Sequence, residues 1–222
     1  MKSDIKYRSK VRFIWESVEG LILLVLIFFS WPISRRWLGN WGATTLECSK
    51  IWPGDKLTPS PIKTFTRAID VDASSKIVWS WVVQLGLGRA GFYSYELFEC
   101  LVGIPVKNVE SILPEYQSIE LGTKIKLHPN APGIPVGVLS EGRYLCFGHL
   151  GTQKGIVSEP RRSWSIYIEP MGEKSCRLLL RSSMEETHRL TLRNKMALIL
   201  TEPIDFLMEQ RMLRTIRRLS ER

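Results

Sequence analysis

Residues 74–103 read Ser-Ser-Lys-Ile-Val-Trp-Ser-Trp-Val-Val-Gln-Leu-Gly-Leu-Gly-Arg-Ala-Gly-Phe-Tyr-Ser-Tyr-Glu-Leu-Phe-Glu-Cys-Leu-Val-Gly. Ile77, Val78, Trp81, Val82 and Leu85 recur at helical spacing, with Ser74 placed as an N-cap. Trp79 and Val83 fall on the opposite side, so this helix is apolar nearly all round and belongs in a core. A strand competes, because Val and Trp are good strand formers. The choice decides the fold, since Gly86, Gly88 and Gly91 spell GxGxxG. Between a strand and a helix, that pattern would cradle a dinucleotide phosphate. The flanking chain lacks repeated βαβ units, and Phe92, Tyr93 and Tyr95 are bulky where a pyrophosphate needs bare backbone. The helical reading makes the glycines a turn into a second short helix.

A half-buried strand precedes this stretch. Phe65, Arg67, Ile69 and Val71 share one face, and Thr64, Thr66, Ala68 and Asp70 the other. After it come strand candidates at 123–127, 136–140, 144–147, 164–169 and 177–183, separated by turn residues such as Glu141-Gly142 and Met171-Gly172. Short turns between consecutive strands predict an antiparallel meander. From Leu192 the pattern is helical to the end, and Pro203 is expected to kink the helix or start a new one. The order predicts an α+β fold in which a curved antiparallel sheet wraps a long C-terminal helix and leaves a cavity between them.

Residues 1–19 carry five basic side chains, and Gly20 to Ile33 carries no charge. Extended to residues 18–38, the run is flanked by Trp15, Trp31 and Trp37 and reads as a single-pass membrane anchor. No small-residue cleavage site follows it, which disfavours a cleaved signal peptide. A buried soluble helix would have to hide Phe28, Phe29 and the leucines on all sides. The basic N-terminus tilts the orientation toward a domain outside the cytoplasm, while reduced cysteines argue the other way. Residues 41–62, rich in Pro and Gly, read as a linker, giving three parts: 1–40, 41–62 and 63–222.

The chain has 222 residues, 44% of them apolar, a net charge of +9, eight tryptophans and four cysteines. That supports one packed domain with an appendage. Cys100, Cys146 and Cys176 lie in apolar patterns and read as buried thiols. His128, His149 and His188 are isolated, so no metal site is expected. Arg211, Arg214, Arg217, Arg218 and Arg222 suit a helix C-terminus, and beside a membrane they would also suit anionic headgroups. A nucleic-acid partner is not expected, because these charges sit at the end of a helix whose other face is apolar.

Several short motifs carry a family likeness: Trp41-Gly42-Ala43-Thr44, Pro53-Gly54-Asp55, residues 67–73 with Val78-Trp79, and Gln84-Leu85-Gly86. Arg89, residues 91–95, Ile112-Leu113-Pro114-Glu115, and Glu202-Pro203 with Phe206 and Met208-Glu209 complete the set. On these the chain resembles the SRPBCC superfamily, the START and polyketide-cyclase-like helix-grip fold, in a bacterial branch with an N-terminal hydrophobic helix. The resemblance implies a cavity for a small apolar ligand, lipid-like or polyketide-like, in a protein of the bacterial cell membrane. It implies no cofactor and transfers no catalytic residue. Candidate ligand-lining groups are Trp79, Tyr93, Tyr95, Glu96, His149 and Arg181. A cyclase- or dehydratase-type enzyme is the alternative and would need a carboxylate and a histidine, such as Glu96 and His149, to meet in one pocket.

Overall fold

A computed structural model of the protein describes residues 5–149, 161–185 and 192–222, with the side chains of Pro32 and residues 192–200 outside that description. His188 also lies outside it. The helices are α1 (Lys10–Gly39), α2 (Thr45–Ser49), α3 (Ser75–Val82), α4 (Glu96–Leu101) and α5 (Leu192–Ser220). The strands are β1 (Pro61–Val71), β2 (Lys124–Ile125), β3 (Ile134–Ser140), β4 (Tyr144–Phe147), β5 (Arg162–Pro170) and β6 (Cys176–Glu185). They form one six-stranded sheet in the order β1-β6-β5-β4-β3-β2, with every pairing antiparallel. The protein is thus α+β, a curved antiparallel sheet closed over a long C-terminal helix.

Alternation along the strands divides the sheet into two faces. Leu178 and Leu180 of β6 and Ile166 and Ile168 of β5 point inward, where they meet Met212, Leu213, Ile216 and Leu219 of α5 and Val78 and Val82 of α3. Leu179, Tyr167, Cys146 and Ala68 point outward and are covered by Trp52 and Leu57. The stretch 41–62 supplies that cover. Thr44 caps α2 in a capping box with Glu47, and Pro53–Leu57 forms a 3-10 turn laid on the sheet. Arg177 and Arg181 emerge on this outer face. Arg181 donates to Asp55 Oδ1 at 2.8 Å and Thr66 Oγ1 at 2.6 Å, and Arg177 to Glu47 Oε1 at 2.8 Å.

The GxGxxG stretch follows a helix, not a strand. Gly86, Gly88 and Gly91 all have positive φ, at 132°, 77° and 85°. They fold the chain back so that Gly86 N–H donates to the Gly91 carbonyl at 3.0 Å. Tyr93 adopts φ 58° without being glycine. The buried Asn108 side chain holds it there, its Oδ1 accepting from Phe92 N–H at 3.1 Å and Tyr93 N–H at 2.6 Å. Gln84, fully buried, ties α3 to this turn through Tyr93 Oη at 2.6 Å and Leu113 N–H at 2.9 Å.

Helix α5 continues through Pro203. Proline removes one backbone donor without ending the helix. The basic residues near its end are engaged. Arg211 pairs with Glu16 and Glu19, Arg214 stacks on Trp41, Arg217 pairs with Glu221, and Arg218 and Arg222 both reach Glu110. Among the thiols, Cys146 and Cys176 are buried, whereas Cys100 is exposed on α4.

Helix α1 contains the run 18–38, and its Lys10–Trp31 part is long and apolar enough to cross a membrane. One side of it packs on the domain. Leu23, Leu24, Ile27 and Trp31 meet Tyr95, Phe98, Phe206 and Leu207.

Gly54 approaches the sheet so closely that a Cβ there would run into Tyr167 Oη and Ser165 Oγ. Its N–H donates to that tyrosine oxygen at 3.0 Å. The variant Gly54→Ala is therefore expected to lose roughly 1–3 kcal/mol through overpacking. A melting temperature lower by about 5 °C would record the loss.

Candidate functional site

Between α5, α4 and the sheet lies a cavity of about 570 Å³. Its apolar wall comes from separate elements: Phe65 of β1, Phe98 of α4, Ile134 of β3, Phe147 of β4, Trp164 of β5, and Met208 and Met212 of α5. Phe147 and Trp164 stack at 5.5 Å between ring centroids and make one continuous aromatic surface. The cavity opens where β6 changes composition. Leu178 and Leu180 fill the inner end, and Ser182 and Ser183 leave room at the other.

One end is charged. Glu202, Asp205 and Glu209 stand at i, i+3 and i+7 on one side of α5, and Lys63 and Arg162 come from β1 and β5. Two of the carboxylates are committed. Glu202 pairs with Lys63 and takes a forked contact from Arg35 at 2.8 and 2.9 Å. Glu209 pairs with the buried Arg67 and accepts from Ser182 Oγ at 2.7 Å. Asp205 makes no hydrogen bond among the described residues, and its open surface faces the cavity. The surrounding walls raise its pKa by partial desolvation, against the pull of Arg67, Arg162 and Lys63, and because Asp205 is itself exposed toward the cavity the effect on stability is small. Lys63 and Arg35 share one carboxylate, and burial followed by that second cation brings the Lys63 ammonium down to about 8. Glu99, also in the wall, has its pKa raised by burial, while the Ser94 hydroxyl at 2.6 Å opposes the shift.

None of the six side chains expected from the sequence to line a ligand site borders this cavity. Trp79 and Tyr93 belong to the main core, and Tyr93 Oη is held by Gln84. Tyr95 packs on Phe98 and under Arg211. Glu96 accepts from Asn108 N–H at 2.7 Å and so holds the start of α4. Arg181 is on the outer face with Asp55. His149 is exposed at the end of a described segment and makes an interaction of its own. Tyr93, Tyr95 and Glu96 thus stand off the cavity, while their neighbours Phe92 and Ser94 from the same turn border it beside Phe98 and Glu99. Two signals in the sequence do mark the wall. A serine pair follows the leucines of strand β6, and three acidic residues fall on one side of α5 around Phe206.

A shallower hollow of about 420 Å³ lies by Ile69 and the end of α5. Its arginines, Arg214, Arg217 and Arg218, are already engaged by Trp41, Glu221 and Glu110. The larger, mostly apolar cavity between α5, α4 and the sheet is the better site for a ligand.

No protein-family model matches the chain, and no curated protein matches it in sequence. Solved structures similar to it include a protein from Mesorhizobium loti, 10% identical over 71% of this chain and 96% of that one, with a TM-score of 0.40. The Zhui aromatase/cyclase from Streptomyces sp. R1128 is 13% identical over 72% and 94%, with a TM-score of 0.39. Norcoclaurine synthase from Thalictrum flavum, in complex with dopamine and hydroxybenzaldehyde, is 14% identical over 80% and 96%, with a TM-score of 0.37. At such values no residue's role passes from those proteins to this one.

Asp205 gives the site a measurable signature. A carboxyl whose pKa is raised by folding binds protons more tightly in the folded state, so it lowers stability as pH rises from its unfolded value of 3.8 through its folded value. Asp205→Asn is expected to raise the melting temperature slightly at neutral pH, with the gain vanishing below about pH 4. Thermal melts of both proteins across pH would show it. Equal melting temperatures at every pH would mean that the carboxylate is not strained by its surroundings.

Proposed function

We propose that the protein is a membrane-attached binding domain of the SRPBCC type that holds a small, mostly apolar molecule with one polar end in the cavity between sheet and α5. The observation that carries this reading is the cavity itself. Its volume of about 570 Å³ lies within the usual range for small-molecule sites, and its wall is mainly aromatic and aliphatic with polar groups gathered at one end. Apolar surface supplies the affinity there, and Asp205, Arg162 and Lys63 select the polar group. On this reading residues 63–222 form the container, 41–62 its outer cover, and 1–40 the attachment to the bacterial cell membrane.

A second reading, a cyclase- or dehydratase-type enzyme, is favoured by one feature. Asp205 and Lys63 share the cavity, and burial moves both toward neutral pH, as acid–base work requires. No histidine joins them among the described lining residues. His128 Nε2 instead lies 3.3 Å from the Val102 carbonyl.

The test is solvent extraction of the purified full chain followed by mass spectrometry, set beside a variant with the cavity filled, Ile134→Trp with Met208→Trp. A molecule that co-purifies with the natural chain should fall at least about tenfold in the filled variant, because little apolar volume is left for it. Equal amounts in both would refute the container reading. Circular dichroism of the two proteins checks that the variant is folded.

A further inference from the structure

We infer that α1 attaches the protein as a helix lying in the plane of an anionic membrane surface, its outward face in the headgroup region, and does not cross the bilayer. The inference rests on the membrane attachment proposed above and concerns its geometry.

Both ends of α1 are clamped to the same domain. Before the helix, the chain runs antiparallel to residues 108–111. Arg8 N–H donates to the Asn108 carbonyl at 3.3 Å, Glu110 N–H to the Lys6 carbonyl at 2.6 Å, and Lys6 N–H to Ser111 Oγ at 3.3 Å. The Arg8 side chain is 2% exposed, pairs with Glu16 at 2.5 Å and donates to the Ser94 carbonyl at 3.2 Å. At the far end Arg35 forks onto Glu202, Arg67 Nε donates to the Leu38 carbonyl at 3.1 Å, and Gly39 lies against Phe65. Midway, Gly20 sits so close to Tyr95 and Phe98 that a Cβ would have its nearest atoms at 3.0 Å.

A helix of 30 residues is roughly 45 Å long, so a crossing would set its ends on opposite sides of a hydrocarbon layer about 30 Å thick. One folded domain holds both ends and cannot do so from two sides. Crossing with the contacts intact would also pull Glu16, Glu202, Arg35 and Arg211 into hydrocarbon, where charges are strongly disfavoured.

The side of α1 turned away from the domain fits a lipid surface. Trp15, Val18, Ile22, Val25, Phe29 and Ile33 all stand on it, with Phe29 85% and Ile33 94% exposed. Glu16 is buried beneath Arg211, and Glu19, at the edge of the stripe, is neutralised by the same arginine at 3.1 Å. Exposed Lys10 and Arg36 bound the apolar stripe and complement anionic headgroups. A second copy of the chain is a poorer occupant. Antiparallel pairing of two such helices would bring the basic ends together with no acidic side chain to meet them.

The test uses the full chain with Cys48→Ser and Cys100→Ser, which removes the more accessible thiols. A spin label is placed in turn at Val11→Cys, Ile22→Cys and Ile33→Cys, and the protein is reconstituted in phosphatidylcholine–phosphatidylglycerol vesicles. Oxygen and nickel-chelate accessibility report depth whichever way the protein faces. The in-plane arrangement predicts one shallow depth for all three, about 5–10 Å below the phosphates. Ile22 near the bilayer centre, roughly 15 Å deep, between two shallow ends would overturn it while leaving membrane attachment standing. Failure to float with any vesicle would overturn the attachment itself and the inference with it. A doubled mass in light scattering with all three labels occluded would assign the face to a second copy, and also overturns the inference. As an independent check, Phe29→Glu with Ile33→Glu should lower vesicle partitioning at least about tenfold, since it puts two charges into the buried stripe. Unchanged partitioning of this variant would equally overturn it.

Discussion

The charge of Arg67 is what the surrounding structure has to accommodate. Its side chain is 1% exposed in the middle of β1. An isolated guanidinium there would be costly by several kcal/mol. Three elements remove the problem together. Helix α5 brings the Glu209 carboxylate, the end of α1 brings the Leu38 carbonyl, and the faces of Phe65 and Phe206 lie at 5.1 and 5.3 Å from the guanidinium carbon. Because the Glu209 carboxylate and the Leu38 carbonyl come from opposite ends of the chain, the charge is satisfied only when sheet, α5 and α1 are docked in one arrangement. A buried pair adds little net stability compared with apolar residues, but loss of one partner strands the other. Arg67 therefore selects a geometry more than it stabilises one.

That geometry also creates the cavity. Toward the C-terminus of α5 the facing side chains are leucine, isoleucine and methionine from both layers, and the space between them is filled. Toward Pro203 the sheet offers serines and the helix offers carboxylates. Small side chains leave volume, and charged ones keep an end of it polar. The cavity thus results from where residue size changes along β6 and α5, and Glu209 belongs to both the wall and the Arg67 pair. The same reasoning explains the inert basic tail of α5. Its arginines are held by Glu16, Glu19, Glu110, Glu221 and Trp41, so the +9 net charge is not gathered into a free patch there. Glu110 shows the strength of that field. Burial opposes its ionisation, yet hydrogen bonds from Arg222 and Arg218 bring its pKa down to about 2.

Strands and helices were legible in the sequence because their periods are local. The alternation of Phe65, Arg67, Ile69 and Val71 gives β1, and alternating 164–169 gives β5. The glycine turn was legible too, since Phe92 and Tyr93 leave no room for a phosphate. The role of its residues was not. Tyr93, Glu96 and Arg181 carry the chemistry a site needs, and that chemistry is spent on Gln84, Asn108 and Asp55. Local pattern cannot tell a tyrosine that touches a ligand from one that touches a buried glutamine.

From the sequence alone came the element types, the antiparallel meander, the closing helix and the apolar run 18–38, all of which depend on residues a few positions apart. Tertiary structure alone decided that residues 41–62 cover the outer face, that both ends of α1 are fastened to one body, and that the cavity is lined from Lys63 to Met212 by residues of β1, β3, β4, β5, β6, α4 and α5. Those outcomes hang on contacts between residues far apart in the chain, 167 positions for Arg35 with Glu202 and 192 for Glu19 with Arg211. Such pairs leave no periodic trace in the chain, because only the packed layers bring them within reach.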